Sequence, residues 1–583
     1  MNILWLLILA LICFGSGYRY FAEYISSRFG INPNKRTPAV EKNDGVDFVP
    51  TRLPVLFAHH YATIAGAGPI IGPTLGILYG VGPAWLWIVI GGIFFGAVHD
   101  FSALFASIRE NGNSISEVAQ KALGDSGFLM FIIFTSIMLL LVTSAFLSLT
   151  AISLTSIWPI EKLGLDAGQT LLRIKTVNGQ PMGMIGGIAS TSVIIITLLS
   201  PLLGFLIFKR SLKTCNSFVL AAVVCFVSIY IGFLFPVNLD SVAWMIIISI
   251  YVMIAAGLPV WFILQPRDFI NVQILYAGLA SIMTAVIIGG LKGISINMPA
   301  FNLAEGGAQL GPVWPLLFIT IACGAISGFH ALVAGGTSSK QLESESQAKI
   351  VGYGGMLLES VLAILVILAI ASSLSMSDYI SITWPAEGKG NPILAFALAI
   401  GLLVNKAVGI PVAFGSIIGI LMVEGFVVTT LDSAVRLNRY IFEEFWRMLF
   451  KPVPTLLKKY WFNSGLAVVL MFILAVSNGY RLIWPVFGAS NQLLAALTLI
   501  TITVWLHRAG KKSWFTLIPA IAMLITTITS LVYYLFARYI PSGNILLSIT
   551  DIILLALAFG VIIQSLRKTI FSTKSNPPDT ILP

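Results

Sequence analysis

Charged residues are scarce in this sequence. Only 10% of its 583 residues are Asp, Glu, Lys or Arg, whereas a soluble globular protein usually carries about a quarter. Hydrophobic residues make up 57% of the chain, and they fall in repeated runs of about 20 residues, the length of a helix that crosses a bilayer core. The scarcity of charge therefore excludes a soluble protein and predicts an all-α, polytopic membrane protein embedded in a lipid bilayer.

Other signatures are also missing. The four cysteines show no CxxC spacing, so a redox role is not expected. There is no HExxH motif, nucleophile elbow or phosphate loop, so the sequence gives no sign of a protease, a hydrolase or an ATP-driven pump. The protein is therefore predicted not to be an enzyme.

The basic residues report orientation rather than nucleic-acid binding. The net charge is +10, but Lys and Arg fall in short loops between apolar runs, as the positive-inside rule predicts. About 15 spans with the N-terminus outside and the C-terminus in the cytoplasm place 26 of the 34 basic residues on the cytoplasmic side. The apolar run 392–404 is too short to cross and is predicted to be re-entrant or interfacial.

Helix breakers interrupt one predicted span near its midpoint. The span 53–80 contains the sequence TIAGAGP, in which Gly66, Ala67 and Gly68 precede Pro69. Unwound backbone at membrane depth persists only where it is buried in protein or lines a cavity. These three residues are therefore predicted to present free backbone groups to a substrate, and a kinked packing helix is the alternative.

A second interruption is predicted in the span 241–264, at Gly257 and Pro259. This span is the fifth after 53–80 and runs in the opposite direction, which is the pattern of a five-plus-five inverted repeat with a discontinuous helix opening each half. The predicted units follow from that pattern. They are a first helix and cytoplasmic loop (1–52), a first five-helix repeat (53–235), a second, inverted five-helix repeat (236–431), a basic cytoplasmic segment (432–463), four C-terminal helices (464–566) and a disordered cytoplasmic tail (567–583).

Histidine is rare, yet four of the five histidines fall inside predicted spans. Measured from the predicted cytoplasmic ends of their helices, His59, His99 and His330 lie at one depth. At about 1.5 Å per residue this depth is about 10–12 Å. Ionisable groups inside a bilayer usually mark ion pathways, proton relays or ligand sites. The predicted ion-coupling residues are His59, His60, His99, Asp100, His330, Glu359, Thr337 and Ser338.

The coupling ion is left open by the residues alone. Histidine titrates near neutral pH and suits proton coupling. Alternatively, His59, His60, His99, Asp100 and His330 would suit Zn²⁺ or a similar metal ion. The hydroxyl groups of Thr337 and Ser338, in the sequence GGTSSKQ, suit Na⁺ or the capping of a helix end.

Seven stretches together resemble the carbon starvation protein A (CstA) family of bacterial inner-membrane transporters. They are HHYATIAGAGPIIGP, GGIFFGAVHDFSALFASIRENGNSI, QPRDFIN, CGAISGFHALVAGGTSSKQ, YGGMLLES, TTLDSAVRLNRY and WPVFGASNQLLAAL. The resemblance implies secondary-active, proton-linked uptake of peptides or pyruvate across the bacterial inner membrane. It also implies a relationship to the amino acid–polyamine–organocation superfamily, with a LeuT-like core.

The sequence thus predicts a symporter that imports a small carboxylate-bearing nutrient by alternating access. Two other classes remain open at this point: a nutrient sensor with a transporter-like core, and a metal-dependent membrane enzyme.

Overall fold

A computed structural model describes residues 1–571 except 46, 166–171, 178, 211 and 386–389. Thirteen helices in this part of the chain are long and apolar enough to cross a membrane. The prediction of an all-α, polytopic membrane protein is confirmed.

Twelve helices precede residue 256. They are α1 (Ile3–Ser16), α2 (Ala22–Phe29), α3 (Pro38–Glu41), α4 (Leu53–Ala65), α5 (Gly68–Gly76), α6 (Val81–Gly91), α7 (Ala97–Arg109), α8 (Ile115–Leu123), α9 (Asp125–Leu154), α10 (Gly186–Gly204), α11 (Thr214–Leu234) and α12 (Ser241–Ala255). Several are joined into longer spans by π-helical turns, so that α6 and α7 form one span of 29 residues.

Eleven helices follow. They are α13 (Leu264–Leu291), α14 (Leu303–Gln309), α15 (Val313–Thr320), α16 (Phe329–Gly336), α17 (Gly355–Ser373), α18 (Met376–Thr383), α19 (Pro392–Val408), α20 (Val412–Leu449), α21 (Tyr460–Arg508), α22 (Trp514–Tyr534) and α23 (Ile545–Phe571). The long helix α21 has two apolar arms, 460–477 and 483–508. Residues 572–583, most of the predicted disordered tail, lie outside the described residues.

Polar side chains fix several helix starts. The Asn2 side chain accepts a hydrogen bond from the Leu4 N–H at the start of α1. Ser114 and Glu117 form a reciprocal capping box at the start of α8. Such contacts satisfy backbone donors that the first turn of a helix leaves free.

The helix ends define two faces of the molecule. The N-terminal face contains the start of α1 and the ends of α13, α17 and α19, where Asn2 bonds to the Gly290 carbonyl and Lys292 to the Ala407 carbonyl. The basic face contains the ends of α2 and α7, where Lys511 and Arg109 bond to the carbonyls of Phe29 and Gly30.

The segment between α17 and α20 returns to the face that it leaves. Lys406 Nζ, near the end of α19, lies 3.4 Å from the carbonyl oxygen of Ser372, near the end of α17. Because α17 ends and α20 begins on this same N-terminal face, α18 and α19 do not complete a crossing. This is the arrangement expected of a re-entrant segment, and the helix runs four residues further than the predicted 392–404.

The helices in two apolar runs differ from those predicted. The predicted span 241–264 is not one helix, because α12 ends at Ala255 and α13 begins only at Leu264. Residues 313–336 form one apolar run in the sequence, but residues 321–328 divide this run into α15 and α16. The helices α15 and α16 therefore form a discontinuous span, which the hydrophobicity of 313–336 does not reveal.

One predicted cytoplasmic segment is largely helix. Residues 432–449 of the predicted segment 432–463 belong to α20, and Asp432, Arg436 and Arg439 are buried. Charges at spacings of three and four usually form local ion pairs on a solvated helix, and Arg439 does pair with Glu443. Asp432 and Arg436, however, bind Arg267 and Asp47 in other parts of the chain, which spacing along a single helix does not reveal.

A small antiparallel sheet lies between α9 and α10. Its strands are β1 (Ile157–Pro159), β2 (Ile174–Val177) and β3 (Gln180–Met184), in the order β1-β3-β2. Trp158 lies opposite Gly183, and Lys175 opposite Met182.

Candidate functional site

The predicted break in the first discontinuous span lies between α4 and α5. Gly66 has φ 45° and ψ −152°, a backbone conformation that side chains rarely adopt. A Cβ at this position would lie 3.0 Å from Thr430 Oγ1 and 3.2 Å from the Phe146 ring. Thr430 Oγ1 also donates a hydrogen bond of 2.9 Å to the Thr63 carbonyl, which the broken helix leaves free.

The partner break lies at residues 321–328, between α15 and α16. A Cβ at Gly68 would collide with the Cβ and Sγ atoms of Cys323, and one at Gly72 would lie 2.8 Å from the Thr320 carbonyl oxygen. The span α4–α5 starts at the basic face, where Arg52 bonds to Thr214, and the span α15–α16 starts near the N-terminal face, where Gly311 bonds to Tyr79. The two discontinuous spans thus run in opposite directions and meet at their breaks.

Gly257 and Pro259 do not form that partner break. They lie in the non-helical connection between α12 and α13. A Cβ at Gly257 would collide with the Tyr460 ring, and the neighbouring Leu258 carbonyl accepts a hydrogen bond from Arg436. The sequence correctly predicted an interruption at Gly257 and Pro259. The break that contacts Gly68, however, lies between α15 and α16.

Side-chain amides of α21 satisfy the unwound backbone of 321–328. Asn491 Oδ1 accepts the Phe329 N–H at 2.8 Å, its carbonyl accepts the Gly328 N–H at 3.0 Å, and its Nδ2 donates to Ser327 Oγ at 3.0 Å. Gln492 donates to the Phe318 carbonyl. Buried backbone groups without partners are costly, so these amides stabilise the break.

Two of the predicted histidines share one carboxylate. His99 Nδ1 lies 2.8 Å from Asp100 Oδ1, and His330 Nδ1 lies 2.7 Å from Asp100 Oδ2. On its other side, His330 Nε2 lies 3.4 Å from Glu359 Oε2. All four side chains are at most 1% exposed. The set joins α7, α16 and α17, and it holds two carboxyl groups and two imidazoles away from water.

The paired histidines of α4 face different partners. His59 Nδ1 lies 2.6 Å from Asp268 Oδ2 at the start of α13. His60 Nδ1 lies 2.7 Å from Ser338 Oγ, just after α16. Thr337 does not take part, because its hydroxyl donates to the Val333 carbonyl one turn earlier. The predicted residues are therefore brought to one region, but as separate hydrogen-bonded groups.

The predicted metal site does not fit this arrangement. Across residues 1–571 with the gaps given above, no three His, Cys, Asp or Glu side chains converge as a metal ion requires. The Nδ1 atoms of His59 and His60 bond to Asp268 and Ser338, whereas those of His99 and His330 bond to Asp100.

Comparison with known proteins identifies the family. The family model "Carbon starvation protein CstA" matches residues 2–391 and 386–530. The chain belongs to the CstA family. The resemblance inferred from the seven sequence stretches is confirmed, and the match extends beyond them at both ends.

Curated relatives in this family are named as transporters. The chain is 31% identical to the peptide transporter CstA of Bacillus subtilis, over 97% of both chains. It is 31% identical to the peptide transporter CstA of Campylobacter jejuni, over 90% of this chain and 79% of that protein. It is 29% identical to the pyruvate/proton symporter BtsT of Escherichia coli, over 92% and 82%.

Among solved structures, the chain is similar to MhsT in complex with L-phenylalanine. The TM-score is 0.49 at 12% identity, with 87% of this chain and 99% of that chain covered.

This CstA-family chain also buries ionisable residues at the start of α13. Arg267 and Asp268 are both fully buried. Arg267 Nη1 lies 2.7 Å from Asp432 Oδ2, and Tyr251 donates to the same oxygen at 2.9 Å. The only signal in the sequence was that QPRDF lies directly beside an apolar run.

Proposed function

We propose that this protein is a secondary-active, proton-coupled transporter that imports a small carboxylate-bearing nutrient, a peptide or pyruvate, across the bacterial inner membrane. Its relatives include proteins named peptide transporter and pyruvate/proton symporter. The observation that carries the proposal is the buried set of His99, Asp100, His330 and Glu359 beside two broken helices. Such groups are costly inside a membrane and usually mark proton or ion pathways.

In this proposal the two broken spans frame the substrate. Gly66, Ala67 and Gly68 present free backbone groups near the middle of the span, and residues 321–328 take the place first assigned to Gly257 and Pro259. Opposite directions of the two spans are what an inverted repeat produces. The first repeat would then begin with α4 at residue 53 and the second with α15 at residue 313.

Coupling would depend on charge balance in the buried set. With both carboxyl groups ionised, the set is electrically neutral only when both imidazoles carry an added proton. Loss of a proton leaves a buried net charge, which the interior of a membrane disfavours. Uptake and release of a proton would therefore favour different arrangements of α7, α16 and α17. Protons suit this chemistry better than Na⁺, because Thr337 is already bonded within its own helix.

Transport by the purified protein in proteoliposomes tests the proposal. Labelled pyruvate and labelled dipeptides are supplied separately, with a pH gradient or a Na⁺ gradient imposed in turn. We expect accumulation of one of these substrates under a pH gradient, acid outside, and none under a Na⁺ gradient alone. Uptake that neither gradient changes would contradict the proton coupling, and absence of uptake of either substrate would contradict the substrate class.

Histidine variants locate the coupling site. His99→Ala and His330→Ala are expected to abolish accumulation driven by the pH gradient. His507→Ala is the matched control, because His507 is exposed at the end of α21. If the two buried variants accumulate substrate as the wild type does, the set is not the coupling site.

A further inference from the structure

Arg267 is a buried cation whose hydrogen-bonding capacity is only partly used. It lies in the first turn of α13, has no exposed surface, and places its guanidinium 5.2 Å from the centre of the Tyr251 ring. Nη1 bonds to Asp432 Oδ2 at 2.7 Å. Nε and Nη2 have no hydrogen-bond partner among the described residues. A buried arginine normally satisfies its donors, so the free pair requires an explanation.

A second buried arginine shows the contrast. Arg436, on α20, donates Nε to Tyr440 Oη at 3.0 Å, Nη1 to the Leu258 carbonyl at 2.5 Å and Nη2 to Asp47 Oδ1 at 2.8 Å. All three of its nitrogens are used within the protein. Arg109, Arg439 and Arg508 each leave Nε alone without a hydrogen-bond partner, and among the described residues only Arg267 leaves both Nε and Nη2 free.

The position of Arg267 connects it to the broken helix. Its partner Asp432 lies two residues after Thr430, or about 3 Å along α20, and Thr430 bonds to the Thr63 carbonyl beside the break. Asp268, the next residue after Arg267, bonds to His59 on α4. Arg267 is thus bonded to α20 and its neighbour Asp268 to α4, the two elements that border the break.

The free atoms have the geometry that recognises a carboxylate. Nε and Nη2 lie on one edge of a planar guanidinium, and such an edge binds both oxygens of a carboxylate in parallel. We propose that Arg267 binds the carboxylate of the transported nutrient through Nε and Nη2, while Asp432 and the set of His99, Asp100, His330 and Glu359 take up the accompanying proton in turn. This inference rests on the proposed function and names the residue that recognises its substrate class.

Charge balance explains why the two events would occur together. Without substrate, Arg267 and Asp432 neutralise each other. When an anionic substrate pairs with Arg267, one added proton forms an O–H bond on Asp432 and the pair remains neutral. The other ionisable groups around it are Tyr251 on α12, Asp268 on α13 and Glu424 on α20, with His59 on α4 already bonded to Asp268. The substrate and the proton therefore enter with no net charge.

Kinetics of pyruvate and dipeptide uptake test the arginine. Arg267→Lys keeps the charge but loses the planar edge, so we expect KM to rise at least about tenfold, the effect of losing one charged hydrogen bond. Arg436→Lys is the matched control, and its KM is expected to stay within about twofold of the wild type. If Arg267→Lys leaves KM unchanged while the wild type accumulates substrate in response to the pH gradient, the inference is overturned and the proposed function stands.

A double variant that removes the charges of both Arg267 and Asp432 controls for misfolding. Arg267→Gln with Asp432→Asn leaves no unpaired buried charge, which is the main reason that a single replacement would unfold the protein. Substrate added to the purified wild type is expected to raise its unfolding temperature, and this rise should disappear in the double variant. A rise of the same size in the double variant would overturn the inference.

Asp432→Asn separates the proton from the substrate. We expect this variant to exchange labelled for unlabelled substrate across the vesicle membrane but not to accumulate substrate in response to a pH gradient. Accumulation equal to that of the wild type would overturn the role of Asp432. If the wild type itself does not respond to a pH gradient, the proposed function fails, which is a distinguishable result.

Discussion

At the scale of single residues, the contact between the two breaks depends on the absence of one side chain. A Cβ at Gly68 would overlap the Cβ and Sγ atoms of Cys323, far inside van der Waals contact. The close approach of α5 to residues 321–328 therefore requires glycine at this position. The same residues that pack the two breaks together also border the proposed substrate site.

Gly68→Ala is expected to destabilise the protein by about 1–3 kcal/mol, the usual cost of overpacking, and to impair uptake. Gly307→Ala is the control, because a Cβ added there would meet no neighbouring heavy atom within 4 Å. Cys323→Gly added to Gly68→Ala should restore uptake, since it removes both colliding atoms. If the double variant is as impaired as Gly68→Ala, the collision is not the cause.

A second residue-scale contact joins Asp47, which lies in a connection outside the membrane spans, to α20. Asp47 Oδ1 accepts hydrogen bonds from Tyr440 Oη at 2.6 Å and Arg436 Nη2 at 2.8 Å. Burial is the largest single influence and raises the pKa of Asp47, but the charge of Arg436 and the two hydrogen bonds together hold the pKa below its usual value. The contact ties the connection before α4 to α20.

Because the folded-state pKa of Asp47 is lowered, its stabilisation is complete above the unfolded value of about 3.9 and is lost as the pH falls through the lower folded value. Asp47→Asn should therefore lower the unfolding free energy equally at pH 6 and pH 8, by about 1 kcal/mol for a partly exposed site. Below about pH 3 the difference from the wild type should shrink. Glu41→Gln, at an exposed carboxylate, is the control. A difference that changes between pH 6 and pH 8 would contradict the assignment.

At the scale of elements, the break between α15 and α16 depends on a third helix. Asn491 of α21 supplies an acceptor for the Phe329 N–H and a donor for Ser327 Oγ. Without these contacts, buried backbone donors would lack partners. The interruption is thus a property of two elements together.

Asn491→Ala is expected to lower the free energy of unfolding by about 2 kcal/mol, within the range for leaving a buried donor unpaired. Asn405→Ala is the matched control, because the Asn405 amide makes a single hydrogen bond at an exposed position. Thermal unfolding in detergent compares the two. Equal losses would show that Asn491 has no special role in the break.

The sequence predicted the first break but not its partner, and the reason is physical. Gly66, Gly68 and Pro69 weaken their own helix, so the break between α4 and α5 is visible in the sequence. Residues 321–328 contain glycine but no proline, and their unwinding depends on Asn491 in a distant part of the chain. Gly257 and Pro259 carry the local signal yet end an ordinary helix. Likewise, the partners of His59 and His60, Asp268 and Ser338, depend on the packing of α13 and α16 against α4, which the sequence does not reveal.

At the scale of the whole molecule, the two faces carry different charge. The basic face contains Arg109, Lys340 and Lys511, and the positive-inside rule assigns such a face to the cytoplasm. The first arm of α21 (460–477) begins on this face, where Asn463 bonds to Trp446. The second arm (483–508) ends on it, where Arg508 bonds to the Lys121 carbonyl. The proposed orientation therefore has the N-terminus outside and the C-terminus inside.

Native cysteines can report this orientation. Cys215 is exposed at the basic-face end of α11, whereas Cys225 and Cys323 are buried. A membrane-impermeant maleimide is expected to label Cys215 in inverted membrane vesicles but not in intact cells. Ser542→Cys, in the connection between α22 and α23, should show the opposite pattern. Labelling of Cys215 in intact cells would reverse the proposed orientation.

Substrate and proton are proposed to cross this membrane protein together. The most direct test is the proton movement that follows addition of pyruvate or a dipeptide to proteoliposomes containing a pH-sensitive dye, with no gradient imposed. We predict acidification of the vesicle interior that begins with entry of the labelled substrate and is absent in the His330→Ala variant. Entry of labelled substrate with no change in internal pH would contradict the account.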